Sequence, residues 1–129
     1  MAGEDPFFPF IFPSMFSLGN GRNQMNQTEY CVKQLADELA IPESGKKSVV
    51  LNDDSKTKAI LFAFAVSGGL AEHVAPFDAT ILIISGNAAL TVGNDSIDAK
   101  PGTWIKMAAK TPHSIKAITA VVMLLTLVK

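Results

Sequence analysis

Short apolar runs separated by turn residues dominate the chain from residue 49 onward. The runs end at glycine, proline, asparagine or aspartate turns and cover residues 49–52, 59–66, 80–85, 88–92, 103–107, 113–117 and 120–128. This pattern predicts short antiparallel strands in an all-β sandwich or barrel. No helical pattern lies between the runs, which excludes a parallel α/β sheet.

The residues before the first run follow a different pattern. Asn26 and Glu29 have the spacing of a capping box, and Pro42 marks a stop. Between them, apolar residues at helical spacing are Cys31, Val32, Leu35, Ala36 and Leu39. We therefore predict a helix over 26–41, with Cys31 as a small core residue. The whole chain is predicted to be a single domain, in which an apolar arm (1–25) and this helix precede a barrel (42–129).

The predicted arm is rich in large apolar side chains, which are Phe7, Phe8, Phe10, Ile11, Phe12, Met15 and Phe16. An exposed patch of this kind is often a protein interface, so the arm either covers its own core or packs on a neighbouring subunit. Its leading charges, Glu4 and Asp5, are acidic and three prolines interrupt it, which is unlike a signal peptide. We therefore expect a cytoplasmic protein without a membrane span.

Composition narrows the possible partners. The 129 residues carry a net charge of -1, and no cluster of lysine or arginine is larger than a pair. Nucleic acids and membrane surfaces are therefore not expected partners, because both are bound by clustered cations. The chain has only two histidines, His73 and His113, each close to a proline. They are the main candidates for a functional site.

The stretch that contains both histidines, GGLAEHVAPFDATILIISGNAALTVGNDSIDAKPGTWIKMAAKTPHSIKA, resembles the two-motif signature of small single-domain cupins. The first cupin motif has the form G-x5-H-x-H-x3,4-E-x6-G. Counting back from Gly86 puts His73 at the first histidine, Ala75 at the second and Ala79 at the glutamate. The spacing of the motif is kept, but alanines replace two of its ligands.

The second cupin motif has the form G-x5-P-x-G-x2-H-x3-N and starts here at Gly102. It puts His113 at the histidine, while Ala108, Lys110 and Ala117 stand at the proline, glycine and asparagine. The resemblance implies an all-β fold, the cupin double-stranded β-helix or RmlC-like jelly-roll barrel, with one short N-terminal helix and the apolar arm before it. It also implies a homodimer as the default assembly. Because the cupin scaffold serves enzymes, storage proteins and sensors, the fold does not give the function.

Strand alternation gives these positions a physical meaning. Residues 79, 81 and 83 share one face of a strand, so an inward His73 would be followed by an apolar interior surface. Glu72 would face away from His73 unless a bulge re-aims it. The residues predicted to contact a ligand in this apolar pocket are His73, His113, Trp104, Met107 and Phe64.

Three hypotheses for function remain open. The first is a small-molecule-binding cupin that uses both imidazoles as hydrogen-bonding groups. The second is a metal-dependent enzyme, isomerase-like or dioxygenase-like, in which Asp78 joins His73 and His113 on a divalent transition metal, because two histidines alone are too few ligands. The third is an oligomeric interaction protein with a vestigial barrel site. The cofactor is accordingly either none or a divalent transition metal.

Overall fold

The computed structural model describes residues 30–129, of which 33–129 form one unit. The elements of this unit are α1 (Leu35–Glu38), β1 (Lys46–Asp53), β2 (Thr57–Phe64), β3 (Gly69–His73), β4 (Asp78–Ser85), β5 (Ala88–Val92), β6 (Asp95–Ala99), β7 (Trp104–Met107), β8 (His113–Ala117) and β9 (Val121–Val128). The predicted arm over 1–25 lies outside the described residues.

The strands form two antiparallel sheets. One sheet has the order β1-β2-β9-β4-β7, and the other has the order β3-β8-β5-β6. Neighbours in each sheet are mostly distant in sequence, as in a jelly roll, where successive strands alternate between two packed sheets. The all-β, cupin-like jelly-roll barrel predicted from the sequence is confirmed.

The hydrophobic core lies between the two sheets and follows strand alternation. In β4, Ala79, Ile81 and Ile83 are buried, whereas the residues between them are more exposed. The alternation predicted for 79, 81 and 83 is therefore confirmed. The other core residues are Phe64, Ala88, Leu90, Ala99, Met107, Ile115, Ala117, Val121 and Met123.

Gly86 closes β4 at a turn that only glycine fits. Its φ of 86° lies in the left-handed region, which L side chains rarely adopt. A Cβ added there would stand 1.9 Å from the carbonyl oxygen of Ala120, which precedes β9. The turn between β4 and β5 thus requires both a positive φ and a close backbone approach.

The turn between β1 and β2 is fastened by two aspartates. Asp54 Oδ1 accepts hydrogen bonds from the backbone N–H groups of Thr57 and Lys56, which lowers the pKa of Asp54 to about 2. Lys129 Nζ donates to Asp53 Oδ1 at 2.7 Å and lowers the pKa of that carboxyl as well. Turn formation and ion pairing therefore account for this acidic pair.

The helix predicted over 26–41 is much shorter within the described residues. It covers Leu35–Glu38 only, and Gln34 before it is extended and makes no side-chain cap. Val32 is 79% exposed, and Cys31 is also exposed, so the prediction that Cys31 is a core residue was wrong. Helical spacing without an apolar surface to bury does not sustain a short helix. No helix within residues 30–129 is long and apolar enough to cross a membrane.

Candidate ligand-binding site

His113 begins β8 and faces the interior of the barrel. Only 6% of it is exposed, and burial alternates along the strand, so that Ile115 and Ala117 are also buried. Ser114 turns to the opposite face, where its hydroxyl is hydrogen-bonded to that of Thr91. Ser114 is therefore not a nucleophile on the same face as His113.

A β-bulge brings His73 to the same face as His113. In the pairing of β3 with β8, Leu70 stands opposite Ile115 and His73 opposite His113, so three steps on β3 match two on β8. On a regular strand, residues three apart point to opposite faces. The extra residue within Ala71–Glu72 corrects this mismatch. Leu70 packs against the core, and His73 then stands across from the buried histidine.

The two imidazole rings are close and are held in the same manner. Their centroids are 4.3 Å apart, and the ring planes are tilted by 57°. Nδ1 of His73 lies 2.8 Å from the carbonyl oxygen of Ala71, and Nδ1 of His113 lies 2.8 Å from that of Thr111. In both cases the partner is the carbonyl two residues earlier.

These hydrogen bonds fix the tautomer of each ring. A carbonyl oxygen only accepts, so each Nδ1 carries a proton and donates it, which leaves the lone pair of the neutral imidazole on Nε2. Within residues 30–129, no group is hydrogen-bonded to either Nε2. The expectation that the two histidines come together is thus met, and the pair offers two hydrogen-bond acceptors.

Apolar side chains form the wall at this end of the barrel. Ala79 is buried and stands in register with Met107 on one side and Leu127 on the other. The β3–β4 loop leads from His73 to β4, and the β7–β8 loop leads from Met107 to His113. Val92 of β5 is the register partner of His113 on its other side. The glutamate position of the cupin motif is therefore part of an apolar surface.

The two loops at this end are joined by one backbone hydrogen bond. The N–H of Lys110 donates to the carbonyl oxygen of Ala75 at 2.8 Å. Lys110 has a φ of 68°, in the left-handed region that favours glycine. It stands at the glycine position of the second cupin motif, and Ala75 stands at the second-histidine position of the first. A lysine thus replaces the motif glycine in a backbone conformation that favours glycine.

Asp78 lies on the other face of β4 from Ala79. Its Oδ1 accepts a hydrogen bond from the backbone N–H of Ala109 at 2.9 Å, and its Oδ2 lies 3.9 Å from Lys106 Nζ. No group of three or more His, Cys, Asp or Glu side chains that could hold a metal is found within residues 30–129. The structure thus brings the two histidines together and leaves Asp78 apart from them.

The other predicted ligand contacts are distributed differently. Met107 is buried in the wall described above. Phe64 is fully buried at the far end of β2, opposite Val121 at the start of β9, so it is a core residue away from the histidines. Trp104 is 61% exposed and points away from the face of β7 that carries Met107. The positions of Phe64 and Trp104 give no support to their assignment as ligand contacts.

Sequence reasoning missed Val92, Leu127 and the conformation of Lys110. The alternation of the AALTV run places Val92 on the inward face with Leu90, but only strand register shows that it neighbours His113. For Lys110, the glycine of the motif was an available signal for a positive φ.

Taken with the fold, this geometry defines a jelly-roll barrel with two neighbouring histidines at one end. In comparisons with solved structures, the chain is similar to a conserved protein of unknown function from Streptococcus pyogenes. Identity is 29% and the TM-score 0.71, over 85% of this chain and 97% of the other. It is also similar to a cupin superfamily protein from Desulfitobacterium hafniense, with 24% identity and a TM-score of 0.70, over 82% and 97% of the chains.

An RmlC-like cupin protein from Desulfovibrio desulfuricans shows the same likeness, with 18% identity and a TM-score of 0.70, over 78% of this chain and 97% of the other. No protein-family model matches the chain, and no curated protein sequence matches it. The chain has the fold of these cupin proteins.

Proposed function

We propose that this protein binds a small molecule in its barrel and uses His73 and His113 as the polar anchors. One observation carries the proposal. The centroids of the two imidazole rings lie 4.3 Å apart, and each ring is held through Nδ1, while no group within residues 30–129 is hydrogen-bonded to its Nε2. His113 is buried, and buried polar atoms in proteins normally have a hydrogen-bond partner, whereas His73 beside it is exposed. A ligand that enters between the anchors and the apolar wall supplies that partner to both rings.

The wall supports the same proposal. Ligand sites are typically lined by apolar side chains with a small number of placed polar groups. Here the wall consists of Ala79, Met107 and Leu127 on one sheet, and the anchors come from the other. Apolar contact provides affinity, and the two Nε2 atoms fix the orientation of the ligand.

A second candidate is the metal-dependent enzyme, which one specific observation favours. Metal-ligating histidines usually donate their other ring N–H to a carbonyl or carboxylate, and both histidines here do so. However, a stable mononuclear site generally needs three or four protein ligands, and Asp78 is held by Ala109 and Lys106 instead. The described residues therefore do not fit a resident metal, and we derive no reaction step through one.

The metal candidate is tested on untagged protein by elemental analysis before and after dialysis against zinc. Near-stoichiometric metal that disappears in the His73→Phe, His113→Phe double variant would establish it. Metal absent from the purified protein, and not taken up at stoichiometric zinc, would remove it. The Lys116→Gln variant, which changes an exposed residue of β8, is the matched control.

The binding proposal is tested by NMR on protein treated with EDTA. The chain has only two histidines, so their ring signals are assigned with single His73→Phe and His113→Phe variants. Benzoate, cyclohexanone, glucose and phenol, which represent a carboxylate, a carbonyl, a sugar and an aromatic hydroxyl, are then titrated. We expect at least one of them to shift both ring signals, and His73→Phe to weaken that binding. If none shifts either ring at millimolar concentration, the proposal fails.

The homodimer implied by the resemblance is part of the same proposal. Its measurement is the molar mass in solution by light scattering. A mass of about 13.7 kDa, that of one chain, would contradict it, and twice that mass is expected.

A further inference from the structure

We infer that the ligand is an uncharged molecule that presents two neighbouring hydroxyl groups on an apolar body, such as an aromatic diol. This inference rests on the proposed function, because it takes the His73–His113 pair as the anchor of a ligand. It adds the chemical class of that ligand, which follows from which ring nitrogens are already engaged.

Two neutral imidazoles that offer only acceptors do not form hydrogen bonds with a carboxylate ligand. Both Nδ1–H groups are committed to backbone carbonyls, of Ala71 and of Thr111. A neutral ring then offers only the Nε2 lone pair, and an ionised carboxylate also only accepts. Two acceptors facing each other form no hydrogen bond, so the ligand has to bring the donors.

The surroundings disfavour a cationic donor. A buried cation needs a paired carboxylate, because an unpaired charge is costly to take out of water. Within residues 30–129, no Asp or Glu forms a group of three or more with the two histidines, and Asp78 is engaged by Ala109 and Lys106. A neutral hydroxyl donor satisfies Nε2 without this cost.

The two Nε2 atoms together accept two hydrogen bonds, so a ligand with two donors satisfies both rings. With ring centroids 4.3 Å apart, hydroxyls on adjacent carbons can each serve one ring. Ala79 stands where the cupin motif has a larger ligand residue, and Met107 and Leu127 flank it. These side chains suit the hydrocarbon part of the ligand, because they make only apolar contacts.

The test compares four probes built on one benzene ring, by calorimetry and histidine NMR on EDTA-treated protein under argon. The probes are catechol with two hydroxyls, phenol with one, 1,2-dimethoxybenzene with none, and benzoate with a charge. We expect catechol to bind roughly two- to tenfold more tightly than phenol, the range given by one net hydrogen bond, and dimethoxybenzene to bind most weakly. His73→Phe should reduce the affinity for catechol to that for phenol.

The outcomes separate this inference from the proposed function. If benzoate binds more tightly than catechol and His73→Phe abolishes the difference, the diol inference fails while binding at the histidines stands. Equal affinities for catechol and dimethoxybenzene also overturn the inference. If His73→Phe changes no affinity, both fail. His73 is exposed, so Phe should be accommodated, and an unchanged thermal unfolding midpoint verifies the fold. Lys116→Gln is the matched control, expected to leave all four affinities unchanged.

Discussion

Replacing Lys110 by glycine should stabilise the protein. Lys110 is held at a φ of 68°, where a side chain costs roughly 1–2 kcal/mol relative to the right-handed region. Glycine removes this strain but makes the unfolded chain more flexible, which costs roughly 0.5–1 kcal/mol. Lys110 is exposed, so little packing is lost. The net expectation is a stabilisation of about 0.5–1 kcal/mol.

The assay is urea unfolding followed by circular dichroism, with Lys110→Ala as the matched control. Alanine removes the charged side chain and keeps the Cβ, so its stability should stay within roughly 0.5 kcal/mol of the parent. Both variants keep the backbone N–H that bonds to Ala75, so ligand affinity should not change. A glycine variant that is less stable than the alanine variant would refute the argument from backbone strain.

Three further predictions concern the fold and are measured by unfolding. Gly86→Ala should lower the free energy of unfolding by at least about 2 kcal/mol, because its Cβ would meet the Ala120 carbonyl. Gly102→Ala, which has a φ of 92° but open space around it, should lower it by only about 1 kcal/mol, and equal losses would contradict this. Ile83→Ala should cost roughly 2–5 kcal/mol, since Ile83 is fully buried, and a loss below 1 kcal/mol would show that the core is looser than described. Asp54→Ala should make the free energy of unfolding depend less on pH in acid. The pKa of Asp54 is lowered to about 2, so its carboxylate stabilises the fold above a pH of about 4, the ordinary pKa of an aspartate, and this stabilisation is lost as the pH falls through about 2. An unchanged dependence on pH would contradict this.

Most of the fold was predictable because local chemistry determines it. Turn residues such as Gly86 and Gly93 adopt positive φ values at the ends of apolar runs, and the runs between them became strands. The helix over 26–41 was not predictable in the same way. The apolar residues in this segment have helical spacing, but tertiary packing decides whether the apolar face of such a helix is covered. Val32, which belongs to that face, is 79% exposed.

The candidate site was predictable in position but not in orientation. Motif spacing located His73 and His113, and alternation located the buried Ala79. The bulge that aligns His73 with His113 is a property of register between two strands, which one strand's sequence does not reveal. Likewise, Asp78 has a suitable side chain at a neighbouring position, but a one-residue offset places it on the opposite face, where Ala109 and Lys106 engage it.

A metal site of the cupin type needs both a scaffold that positions its ligands and the ligands themselves. Here the bulge in β3 and the two carbonyl anchors position both histidines, and Lys110 has a φ in the region that favours glycine. At two of the four ligand positions of the motifs stand Ala75 and Ala79, which add no charge and no donor. Two fixed acceptors against an apolar wall have different chemistry from four converging metal ligands. Because backbone carbonyls of the chain itself hold both rings, the pair presents two acceptors to the uncharged donor ligand that we propose.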